Sequence, residues 1–396
     1  ALGIMFATGL AAAQPTTVVD VNNGETLTES DLSSGTFMGQ GFSLSPSTVF
    51  EINDGGVIGP VRGESGVFNF DFSTVNINNG GSFRSNSIIS NILLNVFTDG
   101  NLGFGFNVRS GSTVNISGGR VSNNFVALDG STVNIFSGVV GDRFTVRDST
   151  VNISGGTVGP DFNALTGSQI NISGGNVGEK FNAFKNSVVN ISGGSVERFF
   201  NAFAGSEVNI SGGTVGNDFE ASGGSTVNIS GGSVGVEFVA FDGSEVNISG
   251  GSVGEHFIAN DGSTVNISGG FVDFGFEARP GSVINISGGN IGSRFKANGN
   301  STVNLFVTNI SINGVDLELT LGETMEIVQR NEALLVATLA DGSFFDLFLD
   351  TRNTSGSVRF EDEIFSTTTL TATLVPTPAS VYLLSMAGFL VTRRRR

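Results

Sequence analysis

The chain has 396 residues, among them 58 Gly, 35 Phe, a single His and no Cys or Trp. Charged residues make up 14% and apolar ones 39%, which excludes a disordered polyelectrolyte and fits a β-rich protein with a core. The net charge is −17, or −21 once Arg393 to Arg396 are set aside, so the body repels nucleic acid and acidic glycans.

Residues 1–13, ALGIMFATGLAAA, form an apolar run ending in small residues before Gln14-Pro15. This is the expected remnant of a secretory signal, with Ala11 to Ala13 as its cleavage site. Residues 14–70 lack a clear pattern and are expected to form an N-terminal cap with irregular coils.

From 71 to 305 the sequence repeats. The unit reads STVNISGGxVGxxFxAxxG, and its Asn falls at Asn115, Asn134, Asn152, Asn171 and onward to Asn304. The spacing is 19 residues except for a step of 18 between Asn134 and Asn152, where Asp148-Ser149 has lost the turn Gly present in Asp129-Gly130-Ser131. Weaker copies stand at Asn76 and Asn95. A fixed period of about 20 residues without a helical pattern predicts a solenoid.

Inside the unit, Val114 and Ile116 alternate with Thr113, Asn115 and Ser117, which is the period of a strand with apolar residues inward. Gly118-Gly119 is expected to turn the chain, with a second short strand at Val121 and a third carrying Phe125 and Ala127. The fold class is therefore all-β: a parallel β-helix, or β-solenoid, of 19-residue coils with three short faces each. Stacking predicts interior columns from Phe125 to Phe295, from Ala127 to Ala297 with Val146 as the one substitute, and from Val121 to Ile291.

Residues 306–374 lose the repeat. The runs DLELTL, ALLVATL, FFDLFL and TLTATLV predict a β-rich C-terminal cap, and residues 350–363 read as an exposed loop. A segment at 375–396 follows: Pro376-Thr377-Pro378, a short apolar helix from Ala379 to Val391, and Arg393, Arg394, Arg395 and Arg396. Thirteen apolar residues span about 20 Å as a helix, less than a bilayer core of about 30 Å, and the arginines would hold that end in the cytoplasm.

Catalysis on such a rod needs acids gathered on one outer face, and the acids are scattered. Asp129, Asp148, Asp242 and Asp261 share one turn position, and Glu179, Asp218, Glu237 and Glu255 lie at or near another. They read as solubilising turn residues, with weak Ca2+ binding between neighbouring coils as the alternative; no other cofactor is expected. His256 has no second His with which to bind a metal. Arg120, Arg143 and Arg147, near Asp129, Asp142 and Asp148, mark the one place where a lyase-like site could be sought. No catalytic residue is assigned.

The most ordered surface feature is the outward Thr-x-Asn-x-Ser row, exemplified by Thr113, Asn115 and Ser117, by Asn228 and Ser230, and by Asn266 and Ser268. It either holds register through hydrogen bonds or forms a binding strip for glycan or ice. The Asn-Ile-Ser triplets match the N-glycosylation sequon through the repeat itself.

The three-part layout after Val375 resembles the PEP-CTERM sorting signal that exosortase systems read in Gram-negative bacteria. The likeness covers the last 21 residues, and Thr377 stands where that family usually has Glu. It implies an exosortase-type partner, membrane attachment through the C-terminal segment before processing, and a location at the cell surface or in the extracellular matrix. The 19-residue period, over roughly residues 50–305, resembles the passenger repeats of AIDA-type autotransporter adhesins in period and Gly-turn composition. That likeness implies adhesion and brings no site residues. The sequence thus predicts a non-enzymatic structural or adhesive solenoid, with an extracellular polysaccharide as the candidate partner. The alternatives are a glycan- or ice-binding solenoid and a polysaccharide lyase or hydrolase.

Overall fold

The computed structural model describes residues 17–21, 25–27, 36–37, 40–41, 48–53, 55–59, 66–69, 73–329, 333–349 and 362–377. The expected signal remnant and C-terminal apolar helix lie outside these residues, as do Pro378 and Arg393 to Arg396.

The described chain winds into a parallel β-solenoid. Thr226–Val234 pairs in parallel with Glu207–Val215 behind it and Glu245–Val253 ahead, with Thr226 to Ile229 and Ser233-Val234 each facing their equivalents in the neighbouring coils. The alternation does what the sequence demands: Val227 and Ile229 are buried, while Thr226 and Asn228 between them are partly exposed.

One expectation needs correction. Gly-Gly does not separate two strands in most coils; Thr226–Val234 is a single nine-residue strand that bends at Ser230-Gly231-Gly232. The ladder shifts register at this bend, as a bulge does. The expected three faces therefore belong to two sheets. A 25-stranded sheet carries both arms of the bend, and a 14-stranded sheet carries two-residue strands such as Val239–Ala240. Glycine is required because the coils approach too closely for a side chain. A Cβ on Gly212 would lie 2.4 Å from the Ser192 carbonyl oxygen, and Gly213 adopts φ +71°. The backbone turns there while still bonding to its neighbour.

The interior columns form as expected. Rings from Phe144 to Phe276 stack at 4.7–4.9 Å and within 11° of parallel. The Ala column, with Val146, is buried throughout, and so is the Val column up to Val272; its last member, Ile291, is only partly buried. Toward the N-terminal end Ser87 takes the Phe position. Phe83, from the neighbouring column, fills the space with its ring 5.9 Å from Phe68 and 5.1 Å from Phe106.

Two further columns lock the stack. The Ser that opens each unit, from Ser112 to Ser301, is buried. In the later coils its hydroxyl donates to the carbonyl three residues back, as Ser206 does to Phe203 at 2.6 Å. The residue before each core Phe adopts a left-handed conformation, and it is seldom Gly: Asn124, Arg143, Asp161, Lys180, Phe199, Asp218, Glu237, His256 and Arg294 lie at φ 58–64°. This geometry points the N–H toward the following coil, so that Phe199 donates to the Asn217 carbonyl at 3.0 Å while Asn201 donates backward to Phe181 at 2.9 Å.

At the N-terminal end Thr17–Val21 pairs in parallel with Thr48–Ile52, and that strand with Thr74–Ile77, in steps of 31 and 25 residues, so coils of irregular length lie within the stretch read as an N-terminal cap with irregular coils. At the other end the repeat resumes: Glu363–Ile364 pairs with Lys296–Ala297, and Thr369–Leu374 pairs with the start of Thr302–Ile312. The TLTATLV run is thus the last coil, and the end of the expected 350–363 loop is its entry strand. Between these coils Ala333–Leu339 and Phe344–Leu349 form an antiparallel hairpin on Thr302–Ile312. Of the DLELTL run only Asp316 is in a strand, within Val315–Asp316, because Asn313-Gly314 turns the chain just before it.

Two carboxylates pin this cap. Asp341, at the hairpin tip, accepts from the Gly289 N–H at 2.9 Å and from the Ser343 N–H at 2.8 Å. Burial pushes its pKa up, but bonds from the Ser343 hydroxyl and N–H and from the Gly289 N–H outweigh this and hold it below the ordinary value. Asp362 accepts from the Phe295 N–H at 2.7 Å. Burial pushes its carboxyl up, against the Phe295 and Phe348 N–H bonds and with the Asp346 charge adding to the rise.

Candidate functional site

The outward Asn row is a continuous hydrogen-bonded ladder. Each side-chain Nδ2 donates to the Oδ1 of the preceding coil, at 2.7–3.0 Å, from Asn95 on Asn76 through to Asn304 on Asn285. Both ends are closed: Asn76 donates to Glu51 at 2.7 Å, and the Thr371 hydroxyl donates to Asn304 at 2.8 Å. Asn115, Asn228 and Asn266 each give one N–H to this ladder and accept one; Asn266 gives its second N–H to Glu245 at 3.3 Å.

The flanking columns are less regular. Ser230 and Ser268 are exposed, with hydroxyls 3.5 Å from the carbonyls of Ile210 and Ile248, and Ser117 is exposed as well. The column of Thr113 also holds Gln169, Val188, Glu207, Glu245 and Val283, so its surface is not uniformly hydroxylated.

The charged residues fall in separate columns. Arg120 lies on the long-strand sheet, whereas Arg143 and Arg147 flank Thr145–Val146 on the other sheet. Arg147 meets Asp148 at 3.9 Å in an exposed pair. Among the described residues Arg198 and Glu179 form the tightest pair, at 2.8 Å, and the Arg198 hydrogen bond holds the Glu179 carboxyl below its usual range. Between Arg198 and Arg279 the sequence has no Lys or Arg, so that stretch of rod is purely anionic. His256 occupies one of the left-handed corners, its ring edge-on to Phe274 at 5.2 Å. Asp242 and Asp261 fold over the glycines of the next coil; a Cβ on Gly281 would lie 1.8 Å from Asp261 Oδ1. Among the described residues no three His, Asp or Glu side chains gather in a way that could hold a metal ion. Of the sorting-segment residues, Pro376 and Thr377 are exposed at the end of the last coil.

The sequence reading missed one feature. A hollow of about 470 Å3 lies at the bend of the Asn115 coil, lined by Asp99, Gly100, Asn101, Gly118, Gly119, Arg120, Ser122 and Val139. It arises where the bend shortens. Four residues, Phe97 to Gly100, separate the paired positions Val96 and Asn101, but only three, Ser117 to Gly119, separate Ile116 and Arg120. Asn101 Oδ1 is buried there without a hydrogen-bond partner. Val139 in its lining is 43% exposed. The available signal was local: Phe97 and Phe136 interrupt a column that is otherwise Ser from Ser117 to Ser287.

These features define an all-β parallel solenoid with a register-locking amide ladder. No protein-family model matches the chain, and no curated protein matches it. Among solved structures it is similar to a fragment of TibA hyperglycosylated by TibC, with a TM-score of 0.48 and 16% identity. The likeness covers 71% of this chain and 93% of that one.

Proposed function

We propose that this chain is a non-enzymatic structural or adhesive rod of the cell surface or extracellular matrix, sorted through its C-terminal segment. The observation that carries the reading is the Asn ladder, closed by Glu51 and Thr371. A surface that spends its most regular polar groups on holding coil to coil is built for a stiff, extended shape. Separation of Arg120 from Arg143 and Arg147 onto different sheets further favours a non-catalytic role. The PEP-CTERM-like layout of Pro376, Thr377 and the four arginines supports export and processing by an exosortase-type enzyme.

The test is made in the native host. Cells lacking the chain are expected to lose attachment to surfaces or to neighbouring cells, and mass spectrometry of the surface protein is expected to show a C-terminus cut near Pro376. Release of oligosaccharides or unsaturated products from polysaccharide by the purified full chain would contradict the non-enzymatic reading.

A further inference from the structure

We propose that Asn79 is a site of spontaneous amide-to-acid conversion that loosens the Glu51 end of the Asn ladder as the protein ages. The described residues hold three Asn-Gly pairs, at Asn79, Asn298 and Asn313. Such a pair is open to attack of the backbone nitrogen on the side-chain amide, because no Cβ on the second residue stands in the way. The structure separates the three. Asn298 Nδ2 donates to Glu277 at 2.6 Å, and Asn313 Oδ1 accepts from the Leu334 N–H at 2.9 Å. Asn79 is exposed in the bend after Ile77, and its side chain has no hydrogen-bond partner among the described residues. The Gly80 N–H is only weakly engaged, 3.3 Å from the Asp99 carbonyl. Attack requires the bend to open, which an exposed and weakly bonded turn does more often than a held one.

Conversion proceeds in two balanced steps. The Gly80 nitrogen gives up its proton and bonds to Asn79 Cγ, the Cγ–Nδ2 bond breaks, and Nδ2 leaves as ammonia with that proton. Water then opens the resulting imide at either carbonyl, giving aspartate or isoaspartate. The second product routes the main chain through Cβ and Cγ, one carbon longer. That carbon falls inside a turn closed by the Gly81 N–H on the Asn78 carbonyl at 2.9 Å, with Gly80 at φ +75°. The turn has no slack: a Cβ on Gly81 would lie 2.2 Å from the Ile52 carbonyl oxygen. Asn78, at the start of the turn, donates to Glu51 at 2.7 Å and to Asn53 at 2.8 Å, beside the Asn76 bond that closes the ladder. Lengthening the turn therefore pulls on this end of the ladder.

The purified full chain is aged at mildly alkaline pH, folded or in urea. Each Asn-Gly peptide is then followed by mass spectrometry with fragmentation that distinguishes isoaspartate. The hydrogen bonds that hold Asn298 and Asn313 should slow their conversion, so Asn79 is expected to lead both by roughly fivefold or more in the folded chain. In urea the three rates are expected to converge. Amide exchange at Asn78 and Gly81 should quicken in the aged chain and stay unchanged in aged Asn79→Ser, which has no amide to lose. Equal rates at the three sites in the folded chain, a lead that persists in urea, or conversion without faster exchange would overturn the proposal.

Discussion

Phe199 and Phe200 are sequence neighbours with opposite environments, and together they test the inward aromatic column. Phe200 is fully buried, its ring 4.7 Å from Phe181 and 4.8 Å from Phe219, whereas Phe199 is 37% exposed with φ +62°. Truncating Phe200 to Ala removes the ring from between two stacked partners, in an interior held by hydrogen-bonded coils that cannot close in. A loss of about 3–5 kcal/mol is expected. Phe199→Gly removes a partly solvated ring whose face meets Arg198 at 5.1 Å, and frees a corner that only Gly adopts without strain. The strain relief, about 1 kcal/mol, roughly offsets the lost contact and the added chain entropy, so the net change should stay within about 1 kcal/mol. Urea unfolding followed by far-ultraviolet circular dichroism gives both values, with the slope checked for a change in cooperativity. The column is refuted if Phe200→Ala costs no more than Phe199→Gly.

Two further outcomes follow from the polar contacts. Asn228→Ala breaks the bond to Asn209 and the one received from Asn247, and because the row is partly solvated the expected cost is about 1 kcal/mol. Asn228→Asp keeps the acceptor for Asn247 but turns a carboxylate toward Asn209 Oδ1. It should be the more damaging variant at neutral pH and recover near pH ~3, when the protonated carboxyl can donate again; urea midpoints at the two pH values decide. For the cap, the depressed pKa of Asp341 means that its stabilisation is present above the ordinary Asp value of 3.8 and is lost as pH falls through the lower folded value. Asp362 acts with the opposite sign, since its raised pKa makes protonation favour the folded cap as pH falls. Asp341→Asn should therefore cost about 1 kcal/mol or less at pH ~7, given its exposure, and flatten the acid loss of cap stability; amide exchange at Gly289 and Ser343 reports it.

Much of this architecture was legible because one side-chain pattern recurs at fixed spacing. The positions of Phe, Ala, Val and Ile in the unit state which face is inward, and from Val114 to Phe276 nearly every expected interior residue is buried. What was missed depends on backbone contacts between coils. Gly118-Gly119 looked like a strand terminator, yet the pairing with neighbouring coils continues through such bends. The left-handed corners at Lys180, Phe199 and His256 carry no glycine to announce them, since the bond to the following coil enforces the conformation whatever the side chain. The buried Ser column escaped notice because a lone hydroxyl reads as surface until its carbonyl partner three residues back is known. The final coil was hidden by the long excursion between Ile312 and Glu363, which places its strands far from the repeat in sequence but beside it in space. The hollow at Gly118 came from a one-residue difference in bend length, visible only when adjacent coils are laid against each other.

Spin-label distances along the rod test the coil stacking most directly, and the absence of native Cys makes the labelling clean. Ser154→Cys paired with Ser230→Cys spans four coils, and paired with Ser268→Cys it spans six. Parallel stacking requires backbone separations of about 19 Å and about 29 Å, growing by about 4.8 Å for each coil added. Distances that fail to grow in this proportion, or that are equal for the two pairs, would contradict the solenoid.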